Sequence, residues 1–249
     1  MFEQIESSIR AGKGITKMFL DYDGTLVDLT TQPELAVPDN QLLNLLDDLK
    51  REIPLYLVTG RDLESIMSLV GQGFNIIAMH GSEFVDENGK KGYIDNFDYY
   101  RRRTKELSVK YSHLEREFPN LRVIDKKGGL QFHYYNVDPK YLRGLEGTIS
   151  NIREEGFELY SGKYVYELRV KGMNKGKAML KLIDREDFIL FAGDDRTDEE
   201  AFMDLKGHVT IKVGDGETMA RFRIDSPTDF KKFLSGLLEH KGEMLRGKT

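Results

Sequence analysis

The chain has no cysteine among its 249 residues. Disulfides, thiol nucleophiles and cysteine zinc sites are therefore excluded. Histidine is scarce: the five present (His80, His113, His133, His208 and His240) show none of the spacings of a zinc pair. Any metal is then expected to be a hard cation held by oxygens, with Mg2+ favoured. Basic charge is not in excess: 37 Lys and Arg face 42 Asp and Glu, a formal net charge of −5. That balance argues against a nucleic-acid partner held through phosphates. No signal peptide and no apolar run of membrane length is visible. The expectation is a monomeric, cytoplasmic protein with no membrane partner. Serine-nucleophile elbows and glutamate-flanked zinc histidines are missing too. Gly172, Gly176 and Lys177 fall one residue short of a P-loop, with Ala178 where Ser or Thr is needed. Arg101, Arg102 and Arg103 read as a solvated helix face.

What is present centres on Met18-Phe19-Leu20-Asp21-Tyr22-Asp23-Gly24-Thr25-Leu26. An apolar run that breaks into polar residues and Gly reads as a buried strand opening into a loop. In an open α/β sheet, ligands bind at that end. Residues two apart on an extended chain point the same way, so Asp21 and Asp23 are expected to face one reacting group. One carboxylate can attack while the other moves a proton.

The remaining pattern predicts alternating strands and helices. A helical lead-in over 1–14 precedes the strand at 17–21. Leu42, Leu45, Leu46 and Leu49 mark one face of a helix begun at Pro38-Asp39. A strand at Leu55–Val58 ends in Thr59-Gly60-Arg61, and Asp62 caps a helix with inner face Leu63, Ile66, Met67 and Val70. A third strand, Ile76–Met79, ends in His80-Gly81. The character then changes: a hairpin with Asn88-Gly89 as its turn, one helix over 97–118, and strands with one-sided alternation near 130–135, 157–161 and 164–170. The parallel pattern returns with a helix at Lys175, strands at Phe188–Ala192 and His208–Val213, and a helix near 227–240 before a frayed tail, 241–249. The fold class is α/β. A doubly wound parallel-sheet core (1–84 and 171–249) carries an inserted smaller α+β domain (85–170).

Several strand ends carry reactive groups: Asp21 and Asp23, Thr59, and Asp194 with Asp195. Lys175 opens the returning helix. One parallel sheet brings such ends to one rim. A nucleophile, an acid/base, a hydroxyl, a lysine and metal-binding acids suit phosphoryl transfer, which needs positioning and charge neutralisation. Taken singly, each has a plainer reading: Thr59 as a helix-capping residue, Lys175 as solvated surface, and Asp194-Asp195-Arg196-Thr197-Asp198 as a helix N-cap.

The order Asp21-Tyr22-Asp23-Gly24-Thr25, Thr59-Gly60-Arg61, Lys175 and Gly193-Asp194-Asp195 resembles the haloacid dehalogenase superfamily. More closely, the run from Gly193 to Phe202 resembles the trehalose-6-phosphate phosphatase family, as do His80-Gly81, His133-Tyr134, Glu167-Leu168-Arg169 and Lys175-Gly176. The resemblance implies a Rossmann-like core with a cap domain. It implies Asp21 as the nucleophile of an aspartyl-phosphate and Asp23 as the acid/base, with Thr59 and Lys175 assisting. Mg2+ would be held by Asp21, the Asp23 carbonyl and Asp194, supported by Asp195 and Asp198. Substrate would be bound by Gly60, Arg61, His80, Gly81, Lys126 or Lys127, His133, Glu167 and Arg169, the cap residues facing the Asp21 cleft on closure. Two positions depart from the family pattern, Tyr135 where Arg is expected and Val170 where Pro is expected. The expected activity is hydrolysis of a sugar phosphate, trehalose-6-phosphate first. The alternatives are another phosphosugar or glycosyl phosphate (sucrose phosphate, mannosyl-phosphoglycerate), a sugar phosphomutase, or a phospho-accepting module without turnover.

Overall fold

The computed structural model describes residues 2–30, 33–162 and 164–246. Residues 31 and 32 of the expected polar loop and 247–249 of the expected tail lie outside them. In chain order, the first segment holds α1 (Phe2–Ala11), β1 (Lys17–Asp21), α2 (Asn40–Glu52), β2 (Leu55–Val58), α3 (Leu63–Val70), β3 (Asn75–Ala78), β4 (Glu83–Val85) and β5 (Lys91–Tyr93). The middle holds α4 (Phe97–Tyr111), α5 (Leu114–Glu117), β6 (Arg122–Asp125), β7 (Leu130–His133), α6 (Pro139–Ile149), β8 (Phe157–Gly162) and β9 (Val165–Val170). The last holds α7 (Lys175–Leu180), β10 (Ile189–Gly193), α8 (Arg196–Asp204), β11 (Val209–Val213), β12 (Phe222–Ile224), α9 (Pro227–Glu239) and α10 (Lys241–Met244).

Two compact units result, residues 1–92 with 174–249, and residues 93–173. In the first, one sheet runs in the order β12-β11-β10-β1-β2-β3-β4-β5. Its strands from β12 to β3 are parallel, and β4 is antiparallel to β3. Residues 85–92 thus belong with this sheet, so the boundary expected at 84/85 falls after Gly92. β1 and β10 lie at the centre with covered faces, as their continuous apolar runs require. Asp39 caps α2 by accepting from the Leu42 N–H at 2.7 Å, and Leu42, Leu46 and Leu49 enter the core cluster.

In the second unit, an antiparallel sheet runs β6-β7-β9-β8. Leu130, Phe132 and Leu168 pack beneath Leu107, Leu114, Leu145 and Ile149 of the helices. Alternation turns Gln131, His133, Glu167 and Arg169 to the opposite face.

Three expectations change. The helix expected over 97–118 breaks into α4 and α5, because Ser112 Oγ donates back to the Val109 carbonyl at 2.9 Å and the ladder tightens there. β12 adds a sixth parallel strand that three residues, Phe222–Ile224, were too few to signal. Within the expected frayed tail, 241–246 is fixed: α10 forms, Ile15 bridges Leu245, and the Arg246 N–H donates to the Ile15 carbonyl at 2.7 Å.

Candidate active site

Asp21 ends β1 in register with Val58, and Leu20 pairs with Ala192 of β10. The C-terminal ends of β1, β2 and β10 therefore share one edge of the sheet. There Asp21 is 4% exposed. Its Oδ2 accepts from Thr25 Oγ1 at 3.0 Å and its Oδ1 from Lys175 Nζ at 2.7 Å. Lys175, on the first turn of α7, also donates to Asp198 Oδ1 at 2.8 Å. Asp198 Oδ2 accepts the Asp194 and Asp195 N–H groups, each at 3.0 Å. Asp195 caps α8, accepting from the Thr197 N–H at 2.7 Å in a reciprocal capping box with Asp198.

Asp21, Asp194 and Asp198 each offer an oxygen within 4.8 Å of the others. Burial first, then the charges of Asp194 and Asp195, push the Asp21 carboxyl up to about 8 against the pull of Lys175. Burial, then Asp198 and Asp195, push Asp194 up to about 8 as well. Asp195 keeps an exposed surface; crowding by the surrounding chain works against its charge, but Lys175 and hydrogen bonds from Thr197 and Asp198 outweigh it and hold that carboxyl down at about 2. Burial disfavours the Lys175 ammonium, yet Asp198 and Asp21 hold it charged, well above the ordinary lysine range. A cluster of crowded acids, with Asp21 and Asp198 buried and Asp194 half-buried, lacks positive charge beyond one shared lysine, and its all-oxygen donors at the end of a sheet fit a hard divalent cation.

The cluster holds the Asp21 and Asp194 carboxylates expected around a cation, and not the side chain of Asp23, of which only the main-chain carbonyl was expected to serve. Asp23 does not join it: Arg61 Nε and Nη2 donate to Asp23 Oδ2 and Oδ1 at 2.7 and 2.6 Å, a bidentate pair. Only the Asp23 main-chain carbonyl is left for a cation. Asp198, expected as a supporting residue, lies in the cluster too; its oxygens already serve Lys175 and two N–H groups, which makes it a brace.

Thr59 directly follows β2, fully buried, and its Oγ1 accepts from the Arg61 N–H at 3.1 Å. Gly60 lies against the His80 ring; a Cβ there would come within 2.7 Å of His80 Cε1, so a side chain would displace the histidine. Met79, His80 and Gly81 follow one another in the left-handed region. That run turns the chain out of β3, a strand that ends at Ala78, one residue before the expected Met79.

The remaining candidates lie on the polar face of the second unit's sheet. Glu167 is 4% exposed and pairs in register with Gln131 on one side and Tyr160 on the other. Arg169 Nε donates to Glu158 Oε1 at 3.1 Å while its guanidinium stacks over the Tyr160 ring at 4.6 Å. His133 Nε2 lies 3.0 Å from Gln131 Oε1, and burial, then the nearby Lys126, lower its affinity for a proton. Lys126 and Lys127 form the β6–β7 turn, where the Lys127 N–H donates to Asp125 Oδ1 at 2.8 Å.

The sequence model of the trehalose-phosphatase family matches residues 19–227. The chain belongs to the trehalose-phosphatase family. It is 36% identical over 224 residues to the trehalose-6-phosphate phosphatase-related protein of Thermoplasma acidophilum, covering 87% of this chain and 94% of that one. A solved structure of a trehalose-6-phosphate phosphatase related protein superposes with a TM-score of 0.83 at 34% identity, over 92% of this chain and 99% of that one. A haloacid dehalogenase-like hydrolase of B. subtilis, 16% identical, shares the fold with a TM-score of 0.60 over 91% of this chain and 99% of that one. The chain is thus a phosphoric monoester hydrolase with a haloacid dehalogenase core, and a phospho-accepting module without turnover is set aside. Its family is one of metal-dependent enzymes. Among the described residues, no helix is long and apolar enough to cross a membrane.

Four contacting residues were given no role by the sequence reading. Thr25 was legible as the i+4 neighbour of Asp21. Lys212, 5% exposed in the otherwise apolar β11, donates to the Asp194 carbonyl. A lysine in a strand covered on both faces was its only signal. Gln131 and Tyr160 carried no signal beyond alternation.

Proposed function

We propose that this chain hydrolyses trehalose-6-phosphate to trehalose and phosphate through an aspartyl-phosphate on Asp21. The observation that carries the reading is the buried Asp21 carboxylate, held by Thr25 and Lys175 beside Asp194 at the ends of β1 and β10. An Asp21 oxygen attacks phosphorus, the P–O bond to the sugar breaks, and the leaving oxygen takes a proton from Asp23. Water, deprotonated by Asp23, then attacks phosphorus and frees Asp21 and phosphate. The planar fork of Arg61 fits a phosphate as well as a carboxylate, so engaging the substrate phosphate releases the Asp23 carboxyl for these transfers. Thr59 donates to a phosphoryl oxygen, and Gly60, His80 and Gly81 shape the wall beside it.

The carboxylates of Asp21 and Asp194 and the Asp23 carbonyl would hold Mg2+, which would supply neutralisation of charge between phosphate and nucleophile. Asp195 and Asp198 brace that loop. Sugar hydroxyls need convergent polar groups, and Glu167, His133, Arg169 and the Lys126-Lys127 turn supply them. The second unit is read as the cap that selects the sugar.

The test is phosphate release from a panel of sugar phosphates. Trehalose-6-phosphate should be preferred. Chelation should stop turnover and Mg2+ restore it, with Ca2+ a poor substitute. Asp21→Asn should abolish turnover while the protein stays folded. Wild-type turnover by Asp21→Asn would refute the covalent route, and preference for another phosphosugar would refute the substrate.

A further inference from the structure

We propose that Lys212 is a positioning residue of the cation site, acting through the main chain of Asp194; this rests on the phosphatase reading above and deepens it. β11 is buried along its whole length, and a desolvated ammonium within it needs compensating partners. Lys212 has two. Its Nζ donates to the Asp194 carbonyl and lies 3.6 Å from Glu199 Oε1. Glu199 Oε2 in turn accepts from the Met219 N–H at 2.7 Å and Thr218 Oγ1 at 3.2 Å. The ammonium thus ties together the loop after β10, the first turn of α8 and the 218–219 loop.

Asp194 is clamped from both sides as a result. Its N–H is fixed by Asp198 Oδ2 at 3.0 Å and its carbonyl by Lys212. With both peptide groups held, the direction of the Asp194 side chain is set. The carboxylate lies against Gly24, where a Cβ would fall 2.1 Å from Oδ2 and where φ is +80°, so only glycine leaves it room.

Charge and position make opposite demands here. A lysine beside a cation site repels the ion, so an electrostatic role alone requires tighter metal binding once the charge is removed. A positioning role requires weaker binding, because Asp194 loses its fixed direction. Loss of a group that orients a ligand costs roughly tenfold to a hundredfold in metal affinity.

The experiment titrates Mg2+ into the metal-stripped full chain by calorimetry, with half-saturation of phosphate release measured beside it. Lys212→Met is expected to weaken Mg2+ binding about tenfold or more, with KM for the sugar phosphate unmoved. Glu199→Gln, which leaves the ammonium to Asp194 alone, is expected to shift affinity in the same direction by less. It decides the matter if Lys212→Met no longer melts cooperatively. Unchanged or tighter Mg2+ binding in the folded variants overturns the proposal. A wild-type chain that neither binds Mg2+ nor needs it overturns the phosphatase reading instead, which keeps the two failures apart.

Discussion

Lys175→Met tests the electrostatic centre of the site. The Lys175 side chain is 3% exposed and sits between Asp21 and Asp198 at 2.7 and 2.8 Å. Methionine fills similar volume without charge and leaves two buried carboxylates uncompensated. Removing one partner from a buried ion pair costs roughly 3–5 kcal/mol. Over a urea slope of about 2–3 kcal/mol per molar, that lowers the unfolding midpoint of the core unit by roughly 1–2.5 M.

The pH dependence has a definite sign. Lys175 has a raised folded pKa, so its contribution is fully present below 10.5 and does not change between pH 6 and 9. Asp21 and Asp194 have folded values raised to about 8 from 3.8, so the metal-free fold loses stability as pH rises from about 4 through 8. Without Lys175 both carboxyls are pushed higher still, and the loss extends to higher pH. The deficit of Lys175→Met, measured in chelator, should therefore be larger at pH 9 than at pH 6. With Mg2+, loss of a hydrogen bond aimed at the nucleophile should cut turnover roughly 100-fold or more. Stability within about 1 kcal/mol of wild type at both pH values, with turnover within tenfold, would refute the reasoning, since that is the range of exposed ion pairs.

Glu167→Ala should lower kcat/KM for trehalose-6-phosphate tenfold to a hundredfold, the worth of roughly 1.5–3 kcal/mol in a charged hydrogen bond, and leave hydrolysis of a small aryl phosphate nearly unchanged. Equal losses on both substrates would make Glu167 a support of the fold. Glu154 is buried at 4% side-chain exposure among Arg103, Lys110 and Tyr111. Burial opposes its charge, but bonds from Lys110 and Tyr111 and the charge of Arg103 hold its carboxyl below the ordinary 4.5. Its stabilising effect is thus present above pH 4.5 and lost as pH falls through the lowered value. Glu154→Gln should lower the urea midpoint at pH 7 and bring it close to wild type once Glu154 itself is protonated; an equal deficit at both pH values would contradict the ion-pair account.

Asp21, Thr59 and Asp194 were readable because each ends an apolar run, and a parallel sheet sends such ends to one edge. Other features depended on pairings distant in sequence. The tail is fixed by Ile15, some 230 positions away, through a bridge to Leu245. Lys212 reaches Asp194 because its strand lies in register with Gly193. Residues 85–92 looked like the start of the inserted domain because an Asn-Gly hairpin marks a turn without saying which sheet its strands extend.

The turn of the Asp23 carboxylate away from Asp21 and onto Arg61 follows from the same limit. Spacing by two predicts a shared direction only while the chain stays extended, and β1 stops at Asp21. Beyond it, Tyr22 sends its hydroxyl to the Ala36 carbonyl at 2.7 Å, Gly24 turns at positive φ, and Asp23 meets Arg61 from the end of β2. Asp198, read from sequence as an acid near a helix start, is 0% exposed because the capping box with Asp195 turns it inward. There it takes up the lysine and two N–H groups at once. A cap that would stabilise any helix thereby fixes the three groups around the nucleophile, Lys175, Asp194 and Asp195. The plain structural reading of the Asp194–Asp198 run and the catalytic one are consequently the same set of hydrogen bonds.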